Sequence, residues 1–350
     1  MKAFRVPSFD EHNEDQVLLN SKLLRRMRSY LTRQVQATAD DTLLLLGRTA
    51  SLRVRSMEVA SSLDKVEFKV SSQWGEDGII DWLIERVEMP PHLHTFIEFG
   101  IESYAEANTR FLLQNRNWRG LVMDGSSAQI EQLKKDTKLF WGHDLTAKSA
   151  FITRENINDV LANAGFSGEI GLLSIDIDGN DYWVWEAINA VRPVIFICEY
   201  NAVFGDVWPI SIPYEPHFVR ARPEFQGLYF GASIAALRSL ASRKGYQFLG
   251  TSSAGVNAFF VREDYAPRFQ SSLVNTIAWP SKFREALDGE GRLSYVRGLE
   301  RAHLIGDLPV INVETMEKQP LRRLDPLYSE DWLRIMEPFA QRTGVVGYSS

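Results

Sequence analysis

Acidic residues recur at the ends of short apolar runs through the middle of this sequence. Glu98 and Gly100 close the run that begins Thr95-Phe96-Ile97, and Asp124 follows Gly120-Leu121-Val122-Met123. Asp176 and Asp178 follow Ile170 to Ile175, and Glu199 follows Val194-Ile195-Phe196-Ile197-Cys198. Clustered carboxylates repel one another and resist desolvation. Four such ends in a row point to a site that holds ribose hydroxyls, an ammonium group or a metal. Asp124 lies 26 residues after Glu98, near the ~20-residue offset at which an acid accepts from ribose hydroxyls. Asp124-Gly125 is also a common turn dipeptide, and Gly100 alone serves equally as a turn glycine.

The densest polar cluster is Asp176-Ile177-Asp178-Gly179-Asn180-Asp181 with Cys198-Glu199-Tyr200-Asn201. Asp176, Asp178 and Glu199 are hard oxygen ligands of the kind that hold Mg2+ or Mn2+. The plainer alternative is that Asp178 or Asn180 caps the next helix and Asp176 bonds loop amides. Without a metal, Asp178, Glu199 or His217 must take a proton from an acceptor hydroxyl. His217 lies in an aperiodic stretch from Ala202 to Gly231, rich in proline and aromatic residues. Such a loop reads as a lid or substrate platform. His143-Asp144 follows the third strand region, where an adenine would lie, and Gln73 could reach over the sheet ends to a ligand. Glu76 and Asp77 suit the N-terminus of the helix that follows them.

These residues need elements to position them. Strand-like and helix-like runs alternate from Thr95 to Glu199, which predicts a parallel sheet with helices on both faces. Tyr246 to Thr251 and Val256 to Val261 are joined by only Ser252-Ser253-Ala254-Gly255, so they form an antiparallel hairpin. A Rossmann-like, mostly parallel sheet ending in such a hairpin matches a class I methyltransferase better than a nicotinamide-dinucleotide fold. Residues 71–263 form this domain. Residues 1–70 read as a helical accessory segment, with a stripe of Leu18, Leu19, Leu23, Leu24, Met27 and Leu31 among arginines. That segment suits packing on the core, homo-oligomer contact or peripheral membrane contact. Residues 264–350 lose the alternation and read as a looser helical extension, including Leu308 to Val313.

Composition narrows the classes. Acids outnumber bases 45 to 39, giving a net charge of −6, so attraction to a nucleic-acid backbone is not expected. The single cysteine, Cys198, excludes an intrachain disulfide framework and a thiolate-rich zinc site. No apolar run reaches the ~18 residues of a membrane span. The first residues have no apolar signal region, and the expected location is the cytoplasm.

Several ordered blocks resemble the FkbM-like branch of class I S-adenosylmethionine-dependent methyltransferases. They are Ser72-Gln73-Trp74-Gly75-Glu76-Asp77, Phe96 to Gly100, Asn108 to Leu112, Trp118 to Leu121 with Asp124-Gly125, Ser174 to Tyr182, and Cys198 to Asn201. The resemblance spans roughly Ser71 to Arg262. It implies cofactor contacts by the strand-one acid and glycine at Glu98 and Gly100 and by a ribose acid at Asp124. It further aligns Ile175 to Gly179 with the family's fourth-strand block and Glu199 with its fifth-strand acid. The second glycine of the first loop is missing. Gln73, His143, Asp144 and Asp176 complete the expected cofactor set. The implied activity is O-methylation of a sugar, glycan or related small molecule, as in surface-glycan assembly. Two other readings stand beside it: a metal-dependent glycosyltransferase using Asp176-Ile177-Asp178, and a non-catalytic scaffold.

Overall fold

Each apolar run that ends in an acid becomes a strand of one sheet. In the computed structural model the strands are β1 (Thr95–Phe99), β2 (Arg119–Asp124), β3 (Leu145–Ser149), β4 (Gly168–Ile175), β5 (Val191–Glu199), β6 (Ile210–Ser211), β7 (Tyr246–Thr251), β8 (Asn257–Arg262), β9 (Pro309–Asn312) and β10 (Lys318–Pro320). The structure describes residues 38–341 together with 27, 28 and 35. It divides into two compact units, Met1–Thr49 and Ala50–Ser350. The leucine stripe from Leu18 to Leu31, apart from Met27 and Arg28, lies outside the described residues, and so do the docking and oligomer contacts expected of it.

Seven strands form the main sheet in the order β3-β2-β1-β4-β5-β8-β7. Neighbours from β3 to β5 are parallel, and β8 runs antiparallel to both β5 and β7. This is a Rossmann-like, mostly parallel sheet, and the expected terminal hairpin is present. Helices α1 (38–55) and α2 (Glu76–Val87) precede β1, and α3 (Arg110–Arg116), α4 (Ser127–Leu133), α5 (Thr137–Gly142), α6 (Ile157–Asn163), α7 (Asp181–Ala187) and α8 (Ile234–Lys244) lie between strands.

Alternation along β1 sends successive side chains to opposite faces. Phe96 joins one core with Trp82 and Leu83 of α2, while Ile97 joins a second with Trp185 of α7 and Leu237 of α8. The chain order reverses between β1 and β4, so a crevice opens at their carboxyl ends. That crevice is where the acids converge.

Two stretches depart from the sequence reading. Residues 137–142 are helix, and the third strand begins only at Leu145. Strand β3 is the sheet's edge and buries just Leu145 and Ala147 among polar neighbours, so its apolar signal is faint. The second stretch is Leu308 to Val313, which contains strand β9 rather than helix. It pairs with β10 and β6 in a small antiparallel sheet. The loop after β5 is therefore structured: Phe204, Phe225, Leu228 and Tyr229 share a third core with Ile305, Val310 and Leu321. No described helix is long and apolar enough to cross a membrane.

Candidate functional site

A cavity of about 440 Å3 opens at the carboxyl ends of β1, β2, β4 and β5. Its floor depends on Gly100. A Cβ there would sit 1.4 Å from the carbonyl oxygen of Asp176, and the residue has φ +75°, a conformation that glycine adopts without strain. The glycine lets the β1 loop cross the end of β4, a stronger demand than an ordinary turn.

Glu98 is buried and already engaged. It accepts from the amides of Asn108 and Thr109 at 2.8 and 3.0 Å and from the Thr109 hydroxyl at 2.5 Å. It thereby anchors the N-terminus of α3, and burial pushes its pKa up to about 7. Asp124 accepts from the Glu102 and Ser126 amides at 2.8 and 2.7 Å. A carboxylate has about four lone-pair sites, so Asp124 keeps acceptor capacity on the cavity it lines. Past the end of β3, Ala150, Phe151 and Ile152 form the far wall, and Gln73 lines the near side.

The loop after β4 is held by Asp181, which accepts from the amides of Ile177 and Gly179 at 2.8 and 2.9 Å. Neither Asp178 nor Asn180 caps α7 through its side chain. Instead Asp178 adopts φ +56°, a sparsely populated conformation of the kind that clusters at functional sites. Ligand atoms of Asp176, Asp178 and Glu199 all lie within 4.8 Å of one another. Burial, with the charge of Asp178 next in size, pushes Asp176 well above the ordinary carboxylate range. Glu199 is raised for the same reason, with Asp176 as its main repulsive neighbour.

Among the carboxylates for which Mg2+ or Mn2+ is one of the sequence's readings, the chain places a cation of its own. Arg220 Nη1 lies 2.6 Å from Asp178 Oδ1 and 3.6 Å from Glu199 Oε1. The three hard oxygen ligands suit a divalent ion by type, but with the guanidinium among them they do not present an open shell to one. Glu199 Oε2 is buried without a hydrogen-bond partner among the described residues.

Glu199 and Arg220 also line a second groove, of about 340 Å3, with Gln73, Trp74, Val256, Phe283, Arg284 and Glu285. Trp74 is 39% exposed, and its ring centroid lies 4.2 Å from that of Phe283. Gln73 accepts from the Trp74 indole at 2.8 Å. Trp74 follows Ser72, whose amide and hydroxyl bond the buried Asp77, so this approach to the site is anchored.

Of the expected site residues, Gln73, Glu98, Gly100, Asp124, Asp176, Asp178 and Glu199 meet at the cavity. His143 and Asp144 do not. They precede β3 at the sheet's opposite edge, where His143 bonds Asn117 at 2.7 Å and Asp144 pairs with Arg119 at 3.7 Å. The misplacement follows from the strand's position: the residues after β3 are Ala150 to Ile152. His217 is exposed at the rim, its ring 6.1 Å from that of Phe151, and it does not line the cavity.

Arg220 and Phe151 escaped the sequence reading. Arg220 sits 42 residues from Asp178 in an aperiodic loop, and no spacing rule connects the two. Phe151 becomes visible only once the end of β3 is known.

No family model and no curated protein matches the chain. Among solved structures it is similar to an S-adenosylmethionine-dependent methyltransferase from Clostridium acetobutylicum ATCC 824, at 11% identity over 53% of this chain and 90% of that one, TM-score 0.34. It is also similar to an O-methyltransferase from Bacillus cereus in complex with SAH, at 12% identity over 64% and 89%, TM-score 0.36. A third is magnesium protoporphyrin IX methyltransferase from Synechocystis PCC 6803 with bound SAM, at 12% identity over 53% and 77%, TM-score 0.34. These are likenesses of fold alone.

Proposed function

We propose that the chain is a cytoplasmic S-adenosylmethionine-dependent O-methyltransferase acting on a hydroxyl of a sugar, glycan or related small molecule. The observation that carries this reading is the convergence of Gly100, Asp124, Asp176 and Glu199, from four neighbouring strand ends, on one cavity at the point where strand order reverses. Seven carboxylates and one arginine line that cavity, an electrostatic balance suited to a ligand with positive charge. Asp124 would accept from the ribose hydroxyls, and Phe151 with Ile152 would flank the adenine.

When bound, S-adenosylmethionine supplies a methyl group already activated on a sulfonium. The chain's own work is to orient an acceptor oxygen and remove its proton. Positioning supplies much of the rate in such sites. Glu199 is the base in this account: its Oε2 is unpartnered, and the residue stands between the cofactor cavity and the second groove. Arg220 orients it. Trp74 and Phe283 give the groove an apolar platform that suits the C–H face of a sugar ring.

Incubation with methyl-labelled S-adenosylmethionine and a panel of free and nucleotide-linked sugars tests this. Label should pass to a hydroxyl of at least one of them. Mn2+-dependent consumption of a sugar nucleotide, with no label transferred, would instead establish the glycosyltransferase reading.

A further inference from the structure

Three carboxylates on adjacent strand ends need positive charge among them, and Arg220 is held there from several directions. Besides Asp178 and Glu199, its Nη2 lies 3.2 Å from Glu285 Oε2. Its Nε donates to the Gly227 carbonyl at 3.2 Å, and the guanidinium stacks 3.6 Å from the Phe230 ring centroid. These contacts come from the ends of β4 and β5, from the loop after β5 and from the C-terminal segment. The group is therefore not a surface arginine that can swing away at little cost. A divalent ion on the triad would sit about 2–2.5 Å from the same oxygens. There it would meet the repulsion of the guanidinium in addition to the cost of its own dehydration.

We propose that Arg220 is a built-in cation that takes the place of a metal between Asp178 and Glu199 and keeps the triad metal-free. The acids keep the ligand chemistry of a metal site, so removing the guanidinium alone converts them into one. This deepens the methyl-transfer reading of the same pocket, but its readout is metal binding.

The test is a Mn2+ titration of the full chain followed by electron paramagnetic resonance of the free ion. The wild type should show no saturable site below about 1 mM. Arg220→Met keeps an unbranched stem against Phe230, and it should bind one Mn2+ per chain at least about tenfold more tightly. Arg220→Lys should behave as the wild type, and adding Glu199→Gln to the Arg220→Met background should abolish the gained site. A wild type that binds Mn2+ as tightly as Arg220→Met overturns the proposal. So does a folded Arg220→Met that gains no site, with Arg220→Gln tested in its place should the methionine variant not fold. S-adenosylhomocysteine affinity, measured on the wild type with excess chelator, reports separately on the methyl-transfer reading.

Discussion

Glu199 combines burial, an unpartnered oxygen and a position between two cavities. Replacing it with glutamine keeps the shape and removes the proposed base. Glu199→Gln should lower single-turnover methyl transfer by about 10²–10⁴-fold while S-adenosylhomocysteine affinity holds. A variant with wild-type turnover would move the proton to another acceptor. His217→Ala, by contrast, should leave transfer nearly unchanged, because the exposed ring does not line the cavity. At this scale the sequence exposes Asp124, Asp176, Asp178 and Glu199, because an acid directly after an apolar run has few structural uses. It does not expose Arg220, whose partners are distant in sequence. Nor does it show that Glu98 is already committed to the Asn108 and Thr109 amides.

The strand ends act as a unit only where the backbone lets them approach. Gly100→Ala would drive a Cβ to 1.4 Å from the Asp176 carbonyl oxygen, so β1 and β4 must part at the edge that forms the cavity floor. The expected result is a lower thermal midpoint together with lost S-adenosylhomocysteine binding. A stable variant with normal affinity would show that this close approach is dispensable. The boundaries of β1 and β7 follow directly from their apolar runs, whereas the start of α3 is set by a contact from β1. There Glu98 takes the amides of Asn108 and Thr109, and the helix opens at Arg110. Tertiary partners, absent from any local window, set that boundary.

Across the whole molecule, the C-terminal segment helps build the site. Arg301 is buried and donates to the carbonyls of Gly298, Ser281 and Phe283 and to the Ser281 hydroxyl, which fixes the stretch that carries Phe283 and Glu285. Arg301→Ala should cost about 2–4 kcal/mol in denaturant unfolding and raise the acceptor KM more than it alters cofactor affinity. Residues 50–70 belong to the same unit, with Val54, Ala60, Leu63 and Val66 in its core. Buried acids also shape the response of the whole fold to pH. Burial raises Asp77 and Asp181 to about 6 and Glu98 to about 7. As pH rises from about 4, the unfolded chain ionises first while the folded chain keeps these protons. Their contribution to stability is therefore full at low pH and is lost by about pH 7. Urea midpoints should fall through that window, and a steady rise would contradict the burial argument. Calorimetric titration with S-adenosylhomocysteine reads out whether this strand-end cavity binds S-adenosylmethionine through Asp124, as proposed. The wild type should bind one molecule per chain, and Asp124→Ala should weaken binding by about one to two decades with the fold intact; absence of binding to the wild type, or equal affinity in the variant, would contradict the account.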